Sequence, residues 1–220
     1  MKMPLWLILI GCKEEPLTIT FVEEENTLPE IQALDTEILS AGQGHTCAID
    51  SQSQVQCWGR DDYGQSSPPI GTFVQVSAGY NHSCALDFED HIHCWGSNIY
   101  GEGDSPDGRF AQVSVGWSYS CARTFEGSIQ CWGDNTYSQS SPPDHSFSHF
   151  SSGSQHGCGI DSEGLVQCWG INEDEQGNAP EDAFIEVDAG YAHTCGIADS
   201  ERAYCWGVNI GVHYDFAQVW

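Results

Sequence analysis

Ten of the eleven cysteines in this 220-residue chain form five pairs with one spacing, C-x9-C, and the pairs recur every 37 residues. They are Cys47/Cys57, Cys84/Cys94, Cys121/Cys131, Cys158/Cys168 and Cys195/Cys205. Paired cysteines either bind metal or oxidise to a disulfide. Zinc ligands sit roughly two to four residues apart, so the nine-residue gap does not suit zinc. It suits a cross-strand disulfide if the partners face each other on a hairpin. Four histidines share one repeat position, His45, His82, His156 and His193, and Tyr119 fills it in the remaining copy. Histidines in a ring could bind metal or sense pH. A position that accepts tyrosine argues instead for a repeated structural hydrogen bond. His91-x-His93 and His145-x3-His149 are isolated pairs, and the acidic run Glu173-Asp174-Glu175 lacks the D-x-D-x-D-G of a calcium loop. No sequence matches a nucleophile with its base, a P-loop or a dinucleotide motif. We therefore assign no catalytic residue, no metal ligand and no cofactor.

The elements that position these residues follow from the hairpin pattern. Cys47-Ala48-Ile49-Asp50 and Gln54-Val55-Gln56-Cys57 read as two strands around the loop Ser51-Gln52-Ser53. This register places Cys47 opposite Cys57 in a non-hydrogen-bonded pair, where the backbones are closest. The third loop position then needs a positive φ. It holds Ser53, Asp90, Gly127, Gly164 and Glu201; the two glycines and Asp90 suit that demand, and Ser53 and Glu201 suit it less well. One hairpin face carries the cysteines with Ile49/Val55, Leu86/Ile92, Ile160/Val166 and Ile197/Ala203, a pattern interrupted by Arg123 opposite Ile129. The other face is small then polar, as in Ala48/Gln56, Ala85/His93 and Gly159/Gln167, so the flanking Trp or a neighbouring sheet could approach closely. A third strand precedes each hairpin: Phe73–Ser77, Phe110–Val113, Phe147–Phe150 and Phe184–Val187. A Trp-Gly follows each second cysteine, with Trp58, Trp95, Trp132, Trp169 and Trp206 expected in blade cores or between blades. Three or four short strands per unit make one blade of a β-propeller. The fold class is all-β: a propeller of five 37-residue repeats plus a partial sixth, Phe216-Ala217-Gln218-Val219-Trp220, each full repeat with a disulfide hairpin.

Charge and the N-terminus bound the setting. The formal net charge is −26. Such a chain repels phosphate backbones, so no nucleic acid is expected as partner. A basic protein or a cation suits it better. Met1-Lys2-Met3, the apolar run to Ile10 and Leu9-Ile10-Gly11-Cys12 read as a bacterial lipoprotein signal over residues 1–11, with Cys12 as the lipidated residue. Residues 12–35 are then an acidic linker, and residues 36–220 the propeller. The odd eleventh cysteine is thereby explained, and export to the envelope, with the outer membrane preferred, permits all five disulfides.

The run Val76-Ser77-Ala78-Gly79-x-x-His82-Ser83-Cys84-Ala85-Leu86, with Cys94-Trp95-Gly96-x-Asn98-x-x-Gly101 after it, resembles the regulator-of-chromosome-condensation repeat family. The short unit is most similar to its bacterial branch, which includes a secreted β-lactamase inhibitor. The resemblance implies a β-propeller that binds proteins. It does not carry over the exchange-factor activity of the eukaryotic founder, which the leader and the charge oppose. The expected contact face is the set of loops after Trp-Gly, with Asp61, Asp62, Tyr63, Tyr100, Glu102 and Tyr137. The expected function is a non-enzymatic, lipid-anchored monomer that binds a protein or cell-envelope ligand. The alternatives are an envelope enzyme using acids in the channel and a purely structural envelope component.

Overall fold

The structure is a computed structural model, and it describes residues 39–208. Cys12, the leader, the acidic linker and Phe216–Trp220 lie outside the described residues. Fifteen strands among those described form five three-stranded antiparallel sheets. The first contains β1 (Leu39–Ala41), β2 (His45–Ile49) and β3 (Val55–Gly59). The second contains β4 (Phe73–Ala78), β5 (His82–Asp87) and β6 (Ile92–Gly96). The third contains β7 (Gln112–Val115), β8 (Tyr119–Arg123) and β9 (Ile129–Gly133). The fourth contains β10 (Phe147–Ser152), β11 (His156–Asp161) and β12 (Val166–Gly170), and the fifth β13 (Phe184–Ala189), β14 (His193–Ala198) and β15 (Ala203–Gly207).

The hairpin register is the one the spacing predicts. Cys47 faces Cys57, Cys84 faces Cys94, Cys121 faces Cys131, Cys158 faces Cys168 and Cys195 faces Cys205. All five disulfides are formed, with Cα–Cα separations of 4.0 to 4.1 Å. The two members of a pair differ in burial. Cys47, Cys84, Cys121 and Cys158 are 0% exposed, whereas their partners Cys57, Cys94, Cys131 and Cys168 are only half-buried. The reason is position in the sheet. The first cysteine lies on the middle strand, and the second lies on an edge strand, β3, β6, β9 or β12, which the next blade covers less fully.

The third loop residue has positive φ in every copy, including the two that suit it poorly, Ser53 at 61° and Glu201 at 65°. At Asp50 the turn is closed by the side chain: its carboxylate accepts the Gln54 and Gln52 amides, which holds its pKa below the usual carboxylate value. β7 begins two residues after the Phe110 expected to open it; Phe110 is buried, and its amide bonds to the Asp90 carbonyl of the preceding turn.

Sheets pack face to face in chain order, the cysteine face of each of the first four against the opposite face of the next sheet. Cys47 and Val55 meet Phe73, Val76 and Ala85, with Trp95 at the margin. Cys84, Leu86 and Ile92 meet Phe110, Val113 and Ala122, with Trp132 alongside. The tryptophans thus lie between blades. Trp58, on the first sheet, is 53% exposed. The small positions do admit the neighbouring sheet at Ala85. At Gly159 and Gly196, however, the blade's own Phe does the filling: a Cβ would lie 2.6 Å from the Phe147 ring and 2.7 Å from the Phe184 ring. Arg123 is accommodated on the cysteine face by donating to Gln112.

The candidate binding face

The shared histidine position performs the structural task expected of it. His45, His82 and His156 reach the next blade through Nε2, to Ser83 at 2.7 Å, Ser120 at 2.8 Å and Thr194 at 2.8 Å. The Ser120 hydroxyl donates to the Glu102 carbonyl, and the Thr194 hydroxyl to the Gln176 carbonyl. Each must therefore accept from the histidine, which fixes the neutral Nε2–H tautomer at His82 and His156. Their Nδ1 atoms are buried without a partner. The fourth repeat has Gly157 where the others have a hydroxyl, and the repeat before it carries Tyr119 in place of histidine. The Tyr119 hydroxyl bypasses the missing partner and donates to the His156 carbonyl.

Burial lowers the pKa of both His82 and His156 from 6.5 to about 4. The unfolded chain takes up a proton on each below about pH 6.5, and the folded chain does not until about pH 4. Their contribution to stability is therefore complete above pH 6.5 and is lost as pH falls towards 4. Each histidine contributes roughly 3 kcal/mol to that loss. We expect the thermal midpoint to fall steeply between pH 6.5 and 4. The slope should be shallower in His82→Gln, as read by circular dichroism at fixed ionic strength.

The inner ends of the blades meet at glycines. Gly42, Gly79, Gly116 and Gly153 each lie so close to the next glycine's carbonyl oxygen that a Cβ would approach it to 2.3, 2.3, 2.7 and 2.5 Å. This explains the glycine five residues before each first cysteine. The residues that follow these four glycines and Gly190, namely Gln43, Tyr80, Trp117, Ser154 and Tyr191, line a cavity of about 300 Å³ to which all five sheets contribute. Tyr80 packs on Trp117 at 4.8 Å between ring centroids, and Trp117 on Tyr191 at 5.7 Å. Ser154, small, stands between Trp117 and Tyr191 in the sequence of blades, and its hydroxyl donates to the Tyr191 carbonyl. The residue type immediately after each ring glycine is the sequence signal for this aromatic cluster, a signal that the cysteine and histidine periodicity does not contain. The disulfides stand apart from the cavity, since no cysteine lines it. Cys131 packs instead with the group containing Phe150 and Trp169, and Cys168 with the group containing Phe184 and Val187, each against the following blade.

The loops after Trp-Gly open on the same end of the blades. Their amides bond back to the inner turns: Arg60 to the Gly44 carbonyl, Ser97 to Asn81, Asp134 to Ser118. Tyr63, Tyr100 and Tyr137 are 45, 59 and 44% exposed there. Asp61 holds its loop by accepting from the Ser66 amide and the Ser67 hydroxyl. Asp62 is exposed and pairs with Arg60. Glu102 is a correction. It is 2% exposed, and its carboxylate accepts from the Ser97 hydroxyl at 2.7 Å and the Tyr100 amide at 2.6 Å. Burial pushes its pKa up, but those hydrogen bonds outweigh burial and leave it below the usual value. It cannot touch a ligand; it sets the loop that presents Tyr100. Gln65 and Gln139 do the same for the amides of Tyr63 and Tyr137, and Gln176 for Asp174.

The model of the regulator of chromosome condensation (RCC1) repeat matches residues 38–65, 73–102, 110–139, 147–176 and 184–210. The chain belongs to the RCC1 repeat family. None of the curated protein sequences matches it. Among solved structures, this RCC1-repeat chain is similar to the ectodomain of the receptor kinase CR4 from Physcomitrella patens, with 29% identity and a TM-score of 0.69 over 79% of this chain and 52% of that one. It is also similar to the CRINKLY WD40 ectodomain of the receptor kinase ACR4 from Arabidopsis thaliana, with 26% identity and a TM-score of 0.63 over 77% of this chain and 62% of that one. Yeast RCC1 (Prp20), solved bound to Kap60, shares the fold at 18% identity and a TM-score of 0.66, over 77% of this chain and 55% of that one. The chain thus spans between half and two thirds of the length of these structures.

Proposed function

We propose that this RCC1-repeat protein is a non-enzymatic binding module, exported and lipid-anchored through Cys12, that takes a protein ligand on the end of the blades bearing Tyr80, Trp117 and Tyr191. One observation carries the reading. Three aromatic side chains from three blades converge on a cavity built from glycine turns, and three further exposed tyrosines rise from loops at the same end. Aromatic residues gathered at the centre of a face, with a polar rim, are the usual chemistry of protein recognition. The net charge of −26 favours a ligand with basic surface. The likeness to receptor-kinase ectodomains supports a role outside the cell, where the five disulfides persist.

The test is a quantitative pulldown from an envelope fraction with three baits. These are the full chain, Tyr80→Ala/Trp117→Ala/Tyr191→Ala, and Phe88→Ser/Phe125→Ser, which alters exposed tips of the hairpin turns. A partner retained by the first and third baits and weakened at least about a hundredfold by the second supports the reading. A partner insensitive to the aromatic triple, or turnover lost on changing one channel acid, overturns it. Recovery of the Cys12→Ala variant from the membrane fraction in the same amount as the parent would remove the lipid anchor alone.

A further inference from the structure

We infer that the cavity at the centre of the binding face holds one arginine side chain of the protein ligand, its guanidinium stacked on Tyr80 and Trp117 with Tyr191 beside them. This assignment rests on that face being the binding surface, and it names the group the face recognises. A volume of about 300 Å³ lies at the small end of ligand cavities, which run to roughly 1,000 Å³, so it admits one side chain and not a folded segment. Its walls present aromatic faces. Tyr80 and Trp117 are half-buried, and Tyr191 is 67% exposed. The Trp117 ring is tilted by 38° from Tyr80 and by 46° from Tyr191, so the rings fan apart and leave face area open. The floor between them is glycine backbone, whose carbonyl oxygens carry partial negative charge.

Charge makes the occupant a cation. Asp61, Asp134 and the run Glu173-Asp174-Glu175 stand on the loops at this end of the blades. Arg60 is the base there among the described residues, and Asp62 pairs with it. The other bases of the described residues lie at the far end, by the hairpin turns. Arg109 donates to the Asp90 carboxylate and the Glu89 carbonyl, Arg123 ends β8, and the Arg202 carbonyl closes the turn after Ala198. The face therefore carries a negative field, and its one base is already paired, so cations are drawn to the cavity mouth. Desolvation then selects arginine over lysine. No carboxylate lines the cavity. A lysine ammonium would shed a tight hydration shell there and gain no counter-ion. A guanidinium is planar and more weakly hydrated, and it stacks on aromatic rings. The glycine carbonyls and Gln43 in the cavity wall supply acceptors for its N–H groups.

Isothermal titration calorimetry of the full chain with acetylated, amidated peptides Gly-Gly-X-Gly-Gly tests this, with X as arginine, lysine or citrulline. Citrulline keeps the shape of arginine and removes its charge. The arginine peptide should bind about tenfold more tightly than the citrulline peptide and about threefold more tightly than the lysine peptide. Tyr80→Leu/Trp117→Leu should abolish these differences, and Phe88→Ser/Phe125→Ser should leave them unchanged. Tyr191→Leu changes an exposed ring and spares the blade cores, so it tests the site without a folding defect; it should weaken the arginine peptide about threefold. An arginine affinity that neither aromatic variant moves overturns the inference. So does a preference for lysine, or no saturation by the arginine peptide at about 10 mM. Equal affinities for the three peptides, each lost in Tyr80→Leu/Trp117→Leu, would overturn the arginine assignment and leave the aromatic face as the contact surface. That surface itself falls only to a pulled-down partner insensitive to the aromatic triple.

Discussion

Full reduction of the native protein is expected to unfold it at room temperature. Each disulfide joins cysteines ten positions apart. A loop of that size removes about 2–3 kcal/mol of chain entropy from the unfolded state. Five such bridges together exceed the lower end of the roughly 5–15 kcal/mol of a typical domain and approach its upper end. The non-covalent alternative is thin, because each three-stranded sheet packs on its neighbours through only a few apolar side chains. Cys47 and Val55 against Phe73, Val76 and Ala85 is the whole buried core of one interface. Near-ultraviolet circular dichroism with a thiol titration follows the event. We expect loss of the tryptophan signal as thiols appear, and removal of one inner pair, Cys121→Ser/Cys131→Ser, should cost about 2–3 kcal/mol in urea unfolding. A cooperative transition surviving with ten free thiols would show that the blades stack without their bridges.

Gly79→Val should be the most damaging single substitution outside the cysteines, costing about 3 kcal/mol or more. Its Cβ would lie 2.3 Å from the Gly116 carbonyl oxygen and 2.6 Å from Val115. A backbone atom cannot turn aside as a side chain can, so the second and third blades must separate at the axis. The same strain would spread Tyr80 from Trp117 and open the cavity. Gly64→Ala is the control. Gly64 has a φ of +83° but nothing within 4 Å of its Cβ position. It should lose only the left-handed backbone penalty, about 1 kcal/mol. Chemical denaturation of the two variants separates crowding from conformation. Equal losses would mean that the ring glycines serve backbone freedom and not close approach.

These expectations rest on different depths of information. The 37-residue period, the strand pairs and the disulfide partners were legible in the chain because each is local. A hairpin's register follows from its loop length, and facing residues are then fixed by counting. The histidine position was legible for the same reason, since the exchange for tyrosine at residue 119 marked a role in hydrogen bonding. The loops bearing Tyr63, Tyr100 and Tyr137 were placed on the surface by their composition, and they are exposed.

Burial was not legible in the same way. Counting finds the partners of Cys131 and Cys168 but not their half-exposed setting, which depends on how far the next blade overlaps an edge strand. Glu102 looks like a surface acid beside an exposed tyrosine, and only the folded loop shows its carboxylate turned inward to Ser97 and the Tyr100 amide. Nor could the chain reveal that Tyr80, Trp117 and Tyr191 meet. Trp117 is 37 residues from Tyr80 and 74 from Tyr191. Their distance depends on how closely successive blades approach at the axis, and the carbonyl-to-glycine contacts of the inner ring decide that. The sequence by itself determined each blade, because a blade is a local object closed by its own turn and bridge. The tertiary structure alone decided the candidate face, because stacking, and not chain connectivity, brings one residue per blade to a common centre.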